Sequence, residues 1–349
     1  MFRILSIDGG GIRGIIPVQV LKHIQEITKN KILDSFDMFA GTSTGGLIVA
    51  GLTAKDGDDN LSSKHSIADI EKVYLERGKE IFPLRGKCHK WRREQDWSYL
   101  FRPQFGSDGL QAVLEELLSH NGEPLRMNDC LKPVFIPSYD LKTNSPVFFK
   151  GRHAFQNPEE NASLIDVCRA TSAAPTYLPT YSMQFPHEYG LNRTDSITAI
   201  DGGVFMNNPT MGALVEILKY RAHPFYNHPN LIEEDIFVLS IGTGHFSREI
   251  SGRSENWGKF RWIKPSIDIM MWGNGQAVDY HVREGLSFPS SKKLNYLRID
   301  VNLPDEKFAD MANSDDATLD YLQNRVVVDY LQNPTVQNDL SRFIVDAKL

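Results

Sequence analysis

Three times along this chain an apolar run stops abruptly at a glycine turn. Residues 2–7 end in Asp8-Gly9-Gly10-Gly11, residues 36–40 in Gly41-Thr42-Ser43-Thr44-Gly45-Gly46, and residues 197–200 in Asp201-Gly202-Gly203. Helical spacing takes over after the first two. Ile15, Val18, Leu21, Ile24 and Ile27 recur on one face, and residues 47–54 are small and apolar. Strand, glycine turn and helix, twice in succession, predict an α/β fold, a central β-sheet flanked by helices. Further strands are expected over 236–241, ending in Gly242-Thr243-Gly244, and as a pair over 134–139 and 147–149. Ser66 and Asp69 read as a capping box for a helix through Ile70, Val73 and Tyr74. Another helix opens at Ser107, and Pro209 suits the first turn of a third.

Gly41-Thr42-Ser43-Thr44-Gly45 fits G-x-S-x-G, the nucleophile elbow. A serine on so sharp a strand-to-helix turn is held in a strained backbone conformation. Side chains two residues to either side would clash, and Gly41 and Gly45 remove the clash. The helix N-terminus behind Ser43 favours a developing oxyanion. Asp201 closes a strand and is freed from packing by Gly202 and Gly203, so it can face a neighbouring turn as the base that Ser43 requires. A free aspartate has a pKa near ~3.9, so burial beside an apolar pocket has to raise it. The plain alternative is an Asp-Gly turn without chemical duty.

The first glycine cluster supports two readings. Gly9, Gly11 and Gly14 satisfy the G-x-G-x-x-G of a dinucleotide site, with Asp34 at the spacing of its acid. Lys29-Asn30-Lys31 makes a poor strand before Asp34, however, and the serine elbow follows at once. The other reading is an oxyanion hole, in which consecutive glycines offer bare N–H groups to a tetrahedral intermediate. Arg13 would then brace the loop or add positive potential.

Together the three clusters resemble the patatin family pattern: D-G-G-G-x-R-G, G-x-S-x-G some thirty residues on, and D-G-G far downstream. Arg169-Ala170-Thr171-Ser172-Ala173-Ala174-Pro175, Asn207-Asn208-Pro209 and residues 239–244 resemble the same family, and Tyr296-Leu297-Arg298-Ile299 does so weakly. The resemblance implies a three-layer patatin-like fold and a Ser43–Asp201 dyad without histidine. Gly9, Gly10, Gly11, Arg13 and Thr44 would make up the oxyanion site. It implies calcium-independent cleavage of fatty acyl esters of phospholipids and other lipids, with no metal or other cofactor. With an aspartate base, activity is expected to persist to mildly acidic pH. Some bacterial relatives of this size are anti-phage effectors switched on by cyclic nucleotides, so such an activator and a homo-oligomer are open under it. A storage protein of the same fold is open too.

A Ser-His-Asp α/β-hydrolase is the rival enzyme. His245 and His281 satisfy its chain order, but its elbow follows several strands, whereas Ser43 follows one strand and one helix. Over 349 residues the expected organisation is a catalytic domain at 1–250, with a helical segment at 251–349 completing it or serving as a regulatory surface. A net charge of −6 gives no support to nucleic-acid binding. Cys88, Cys130 and Cys168 have no zinc-ligand or paired spacing, which suits reduced thiols in the cytoplasm. Without a signal-like or ~20-residue apolar stretch, the chain is expected to be cytoplasmic and to meet membranes only from the surface. Arg85, Lys87, Lys90, Arg92 and Arg93 around Trp91, with Trp97 and Phe101 following, suit an anionic lipid interface. Trp257, Phe260, Trp262, Met270, Met271 and Trp272 read as core packing.

Overall fold

A computed structural model describes residues 1–57, 61–84, 102–189, 192–246, 254–284 and 295–349. The basic and aromatic stretch 85–101, with Cys88, lies outside the described residues.

The strands of the main sheet are β1 (Phe2–Ile7), β2 (Met38–Gly41), β3 (Val134–Asp140), β4 (Ser145–Lys150), β5 (Tyr181–Tyr189), β6 (Asn192–Asp201), β7 (Ile236–Ile241) and β8 (Asn295–Ile299). They lie in the order β8-β7-β1-β2-β3-β6-β5, with β4 also paired to β3. The pairs β8/β7, β7/β1, β1/β2 and β2/β3 are parallel; those of β3 with β4 and β6, and of β5 with β6, are antiparallel. The sheet is therefore mixed.

Alternation along the strands explains its two covered faces. Phe2 and Ile4 of β1 join Met38, Ala40, Ile236 and Val238 in one core, under the helix Thr210–Tyr220. Leu5 and Ile7 join Phe39, Leu239 and Ile241 in the other, beneath the helices Ile15–Thr28 and Thr44–Thr53. Each fully buried Ile or Leu contributes roughly 1.5–3 kcal/mol. The capping box forms as the sequence predicts: the Ser66 hydroxyl accepts from the Asp69 N–H, and the Asp69 carboxylate from the Ser66 N–H.

Two expectations need correction. Residues 251–349 are not only helical, because Leu297 and Ile299 pair beside Leu239 and Ile241 and make β8 a strand of the main sheet. Trp262, Met270 and Trp272 are not core: the helix Lys259–Glu284 lies on the outside, leaving each of them more than a third exposed. Its Met271 turns inward.

Register then decides where the chemistry gathers. Ile7 pairs with Gly41 on one side and with Ile241 on the other, so β1, β2 and β7 end together. In open parallel sheets this carboxyl edge is where ligands bind. β2 and β6 share one edge of β3: Ala40 pairs with Phe135, and Asp201 with Ser138. Because β2 runs with β3 and β6 against it, their C-terminal ends meet head to head. The Ser43 elbow and the Asp201 turn are thereby brought face to face.

Candidate active site

Ser43 sits between β2 and the helix Thr44–Thr53 at φ 53° and ψ −122°, a conformation only a constrained turn imposes. Its surroundings over-determine it. A side chain at Gly41 would strike the Gly45 carbonyl, and one at Gly45 the Ile7 carbonyl, so the elbow closes directly onto β1. The Ser43 N–H donates to Thr171 Oγ1 at 3.0 Å, and that hydroxyl donates to the Pro137 carbonyl at 2.6 Å. Thr171 lies in the Arg169–Pro175 motif. The backbone of that motif also receives the end of β6, since the Asp201 N–H donates to the Ala173 carbonyl at 3.0 Å. One short segment thus holds both turns.

Asp201 is 2% exposed, and burial pushes its carboxyl up to about 6. Oδ1 accepts the Gly203 N–H at 2.7 Å. The Ser43 hydroxyl lies close enough to favour the charged carboxylate, yet Oδ2 takes no hydrogen bond of its own. A basic oxygen is thus left uncommitted toward the serine.

Across from them stands the glycine loop. Gly9 packs on Ser43: a Cβ there would come within 3.1 Å of the Ser43 Cβ. Among the described residues, the N–H groups of Gly10, Gly11 and Thr44 donate to no protein acceptor, whereas that of Gly9 is taken by the Asn207 carbonyl at 3.2 Å. Gly11 has φ +58°, and a side chain on it would run into the Met311 carbonyl. Arg13 braces the loop, donating to the Gly244 carbonyl at 2.9 Å and less closely to that of Gly10 at 3.4 Å. The Gly9 N–H is therefore already spent, and Arg13 holds the loop in place. Asp34, the acid required by the dinucleotide reading, lies in the helical turn Ile32–Ser35 and not at the end of a strand.

Asp8 was not among the expected site residues, yet it anchors this loop to the sheet. It is buried, and Arg298 of β8 grips it with two bonds, Nη1 to Oδ1 at 2.9 Å and Nη2 to Oδ2 at 2.6 Å. Nη2 also reaches Asp300 at 3.0 Å.

An apolar cavity starts at Ser43, Asp201 and Gly11 and runs between three helices. Leu47 and Ile48 line it from Thr44–Thr53, Ile70 and Val73 from Ile67–Ile81, and Val113 and Leu114 from Asp108–Leu117. No histidine lines it among the described residues; His245 stacks on Trp272 in a neighbouring cavity, and His281 is exposed on the helix Lys259–Glu284. Such a site suits a long aliphatic group with a reacting carbonyl at its mouth.

The patatin-like phospholipase family model matches residues 5–214, which hold the glycine loop, the elbow and the Asp201 turn. The chain belongs to the patatin-like phospholipase family. Its relatives include patatin-like protein 4 of Arabidopsis thaliana, 36% identical over 346 residues, with 92% of this chain and 81% of that protein covered. Patatin-like protein 1 of Oryza sativa subsp. indica is 34% identical over 340 residues, covering 92% and 78%. Human GIVD cytosolic phospholipase A2 superposes with a TM-score of 0.44 at 11% identity, over 99% of this chain and 60% of that one. As a patatin-like phospholipase the chain is a lipid acyl hydrolase by family.

Proposed function

We propose that this patatin-like chain releases fatty acids from phospholipids, without calcium, through a Ser43–Asp201 dyad and an acyl-enzyme. The observation that carries the reading is a strained serine beside a buried carboxylate with an uncommitted oxygen, both opening on an apolar cavity. Asp201 Oδ2 takes the proton as Ser43 Oγ bonds to the ester carbonyl carbon. The N–H groups of Gly10, Gly11 and Thr44 receive the oxyanion. The C–O bond to the leaving alcohol breaks, and that oxygen takes the proton from Asp201. Water then gives a proton to Asp201 and attacks the acyl carbon. The Oγ–acyl bond breaks, Oγ recovers the proton, and fatty acid departs with its chain drawn from the cavity.

A base works only when ionised, so kcat/KM is expected to rise with pH through about 6 and level off above it. A pH profile with a soluble p-nitrophenyl ester checks this. A limb near ~4, the value of a free aspartate, would contradict the buried base. Burial brings the limb near a histidine's ~6.5, so the limb alone does not separate the two bases; substitution of Asp201 does.

The reading also accounts for the exposed face of the helix Lys259–Glu284. Trp262, Ile269, Met270 and Trp272 stand out while Met271 between them lines both cavities, so this apolar face borders the way in. A lipid surface is the partner that matches an apolar rim around a lipid cavity. No helix among the described residues is long and apolar enough to cross a membrane. Trp262→Ser with Ile269→Ser is expected to lower co-sedimentation with phosphatidylcholine vesicles roughly tenfold. Unchanged sedimentation would remove this face from the account.

A further inference from the structure

The base, the elbow and the glycine loop all meet on one helical turn, Gly203–Met206, which follows Asp201 after a single glycine. A helix leaves the carbonyls of its last turn without partners of its own, and here the last turn is the whole helix. Three consecutive carbonyls find their partners in three separate segments. That of Met206 accepts from the Thr42 hydroxyl of the elbow at 2.8 Å, and that of Asn207 from the Gly9 N–H of the glycine loop at 3.2 Å. At the other end of the turn the Gly203 N–H holds Asp201 Oδ1 at 2.7 Å. The Phe205 carbonyl is taken from outside, by the side chain of Asn274 on the helix Lys259–Glu284.

Asn274 grips the turn twice. Its Nδ2 donates to the Phe205 carbonyl, and its Oδ1 accepts the Asn207 N–H at 3.1 Å. A carboxamide has one accepting and one donating end, so the two bonds together fix its orientation. Met271, one turn earlier on the same helix, closes on the same segment: a Cβ at Gly203 would come within 3.2 Å of its Cε. Asn274 itself lines neither cavity, so it has no part in holding the acyl chain. Its two bonds instead fix the backbone that carries the Thr42, Gly9 and Gly203 contacts. A reacting or donating group displaced by about 1 Å in such a site costs on the order of 10²-fold in rate.

We propose that Asn274 is a positioning residue for the acyl transfer, holding the turn after Asp201 so that the glycine loop and the elbow meet at the spacing an oxyanion requires. The proposal rests on the Ser43–Asp201 reading. It is tested on the full chain with Asn274→Leu, which keeps the volume and removes both bonds. Two reactions are followed, hydrolysis of p-nitrophenyl butyrate and inhibition by an aliphatic trifluoromethyl ketone. With the ketone, Ser43 Oγ bonds to the carbonyl carbon, Asp201 takes the proton, and the ketone oxygen becomes the oxyanion. The variant is expected to lose about 10²-fold in kcat, with KM within about twofold, and to bind the ketone more weakly by a similar factor. Loss of folded protein lowers kcat but leaves the inhibition constant where it was, so the ketone separates positioning from stability. Asn274→Asp keeps the acceptor for the Asn207 N–H and lacks the donor for the Phe205 carbonyl. It is expected to lose about tenfold in both readouts, and it carries the test if the leucine variant does not fold. An unchanged inhibition constant in a folded variant, or a loss confined to KM, overturns the role of Asn274 alone. Wild type that neither hydrolyses the ester nor binds the ketone sinks the Ser43–Asp201 reading with it.

Discussion

Asp201→Asn is expected to abolish turnover and to make the protein more stable at the same time. Asparagine keeps the shape and still accepts the Gly203 N–H, but it offers Ser43 no base, so kcat/KM should fall by about 10³-fold. The stability change follows from the raised pKa. The folded state holds the proton of Asp201 up to about 6, against 3.8 for a free carboxyl. This group therefore favours folding least where it is ionised, and stability is lost as pH rises from about 4 through about 6. By pH 8 the buried charge costs roughly 3 kcal/mol, at ~1.4 kcal/mol per unit. Asparagine removes that cost, so its melting temperature should exceed that of wild type by a few degrees at pH 8. The two should converge near pH 4. A variant less stable than wild type at pH 8 would mean that the carboxylate is not the burden its burial implies.

Arg298→Met should do the opposite and damage the fold. It leaves Asp8, which is 3% exposed, beside Asp300 without its guanidinium partner. Breaking a buried pair from one side costs about 3–5 kcal/mol, a large part of a typical total stability of ~5–15 kcal/mol. The glycine loop begins at Asp8, so activity should fall with stability. Adding Asp8→Asn neutralises the stranded charge and is expected to recover about half of the loss. Denaturant melts of the single and double variants measure both numbers. A single variant within about 0.5 kcal/mol of wild type would show that the pair does not anchor the loop.

The part of this site legible in sequence is the part made of backbone. A strained serine needs glycine at 41 and 45, a donor loop needs glycine at 10 and 11, and a base freed from packing needs them at 202 and 203. Each demand leaves a residue that little else explains. What stayed hidden depends on distance along the chain. Asp8 and Arg298 are 290 positions apart, and nothing local tells either that β8 joins the sheet beside β7. Thr171 looks like any helical threonine until the register of β2 and β6 along β3 brings both turns to it. The tryptophans misled for a related reason: composition shows that an aromatic exists, while only packing shows which side of its helix faces out. Arg13 braces the loop, one of the two roles its sequence suggests, whereas Gly9, placed in the oxyanion site by motif, spends its N–H on the Asn207 carbonyl.

The claim at the centre of this account is that Ser43 carries the acyl group. Fatty-acid release from mixed phospholipid vesicles, measured in excess chelator for wild type and Ser43→Ala, tests it most directly. The account expects release by wild type despite the chelator, and a loss of about 10³-fold or more in Ser43→Ala with its melting temperature retained. Equal release by the two proteins would contradict it, and the nucleophile would have to be sought elsewhere.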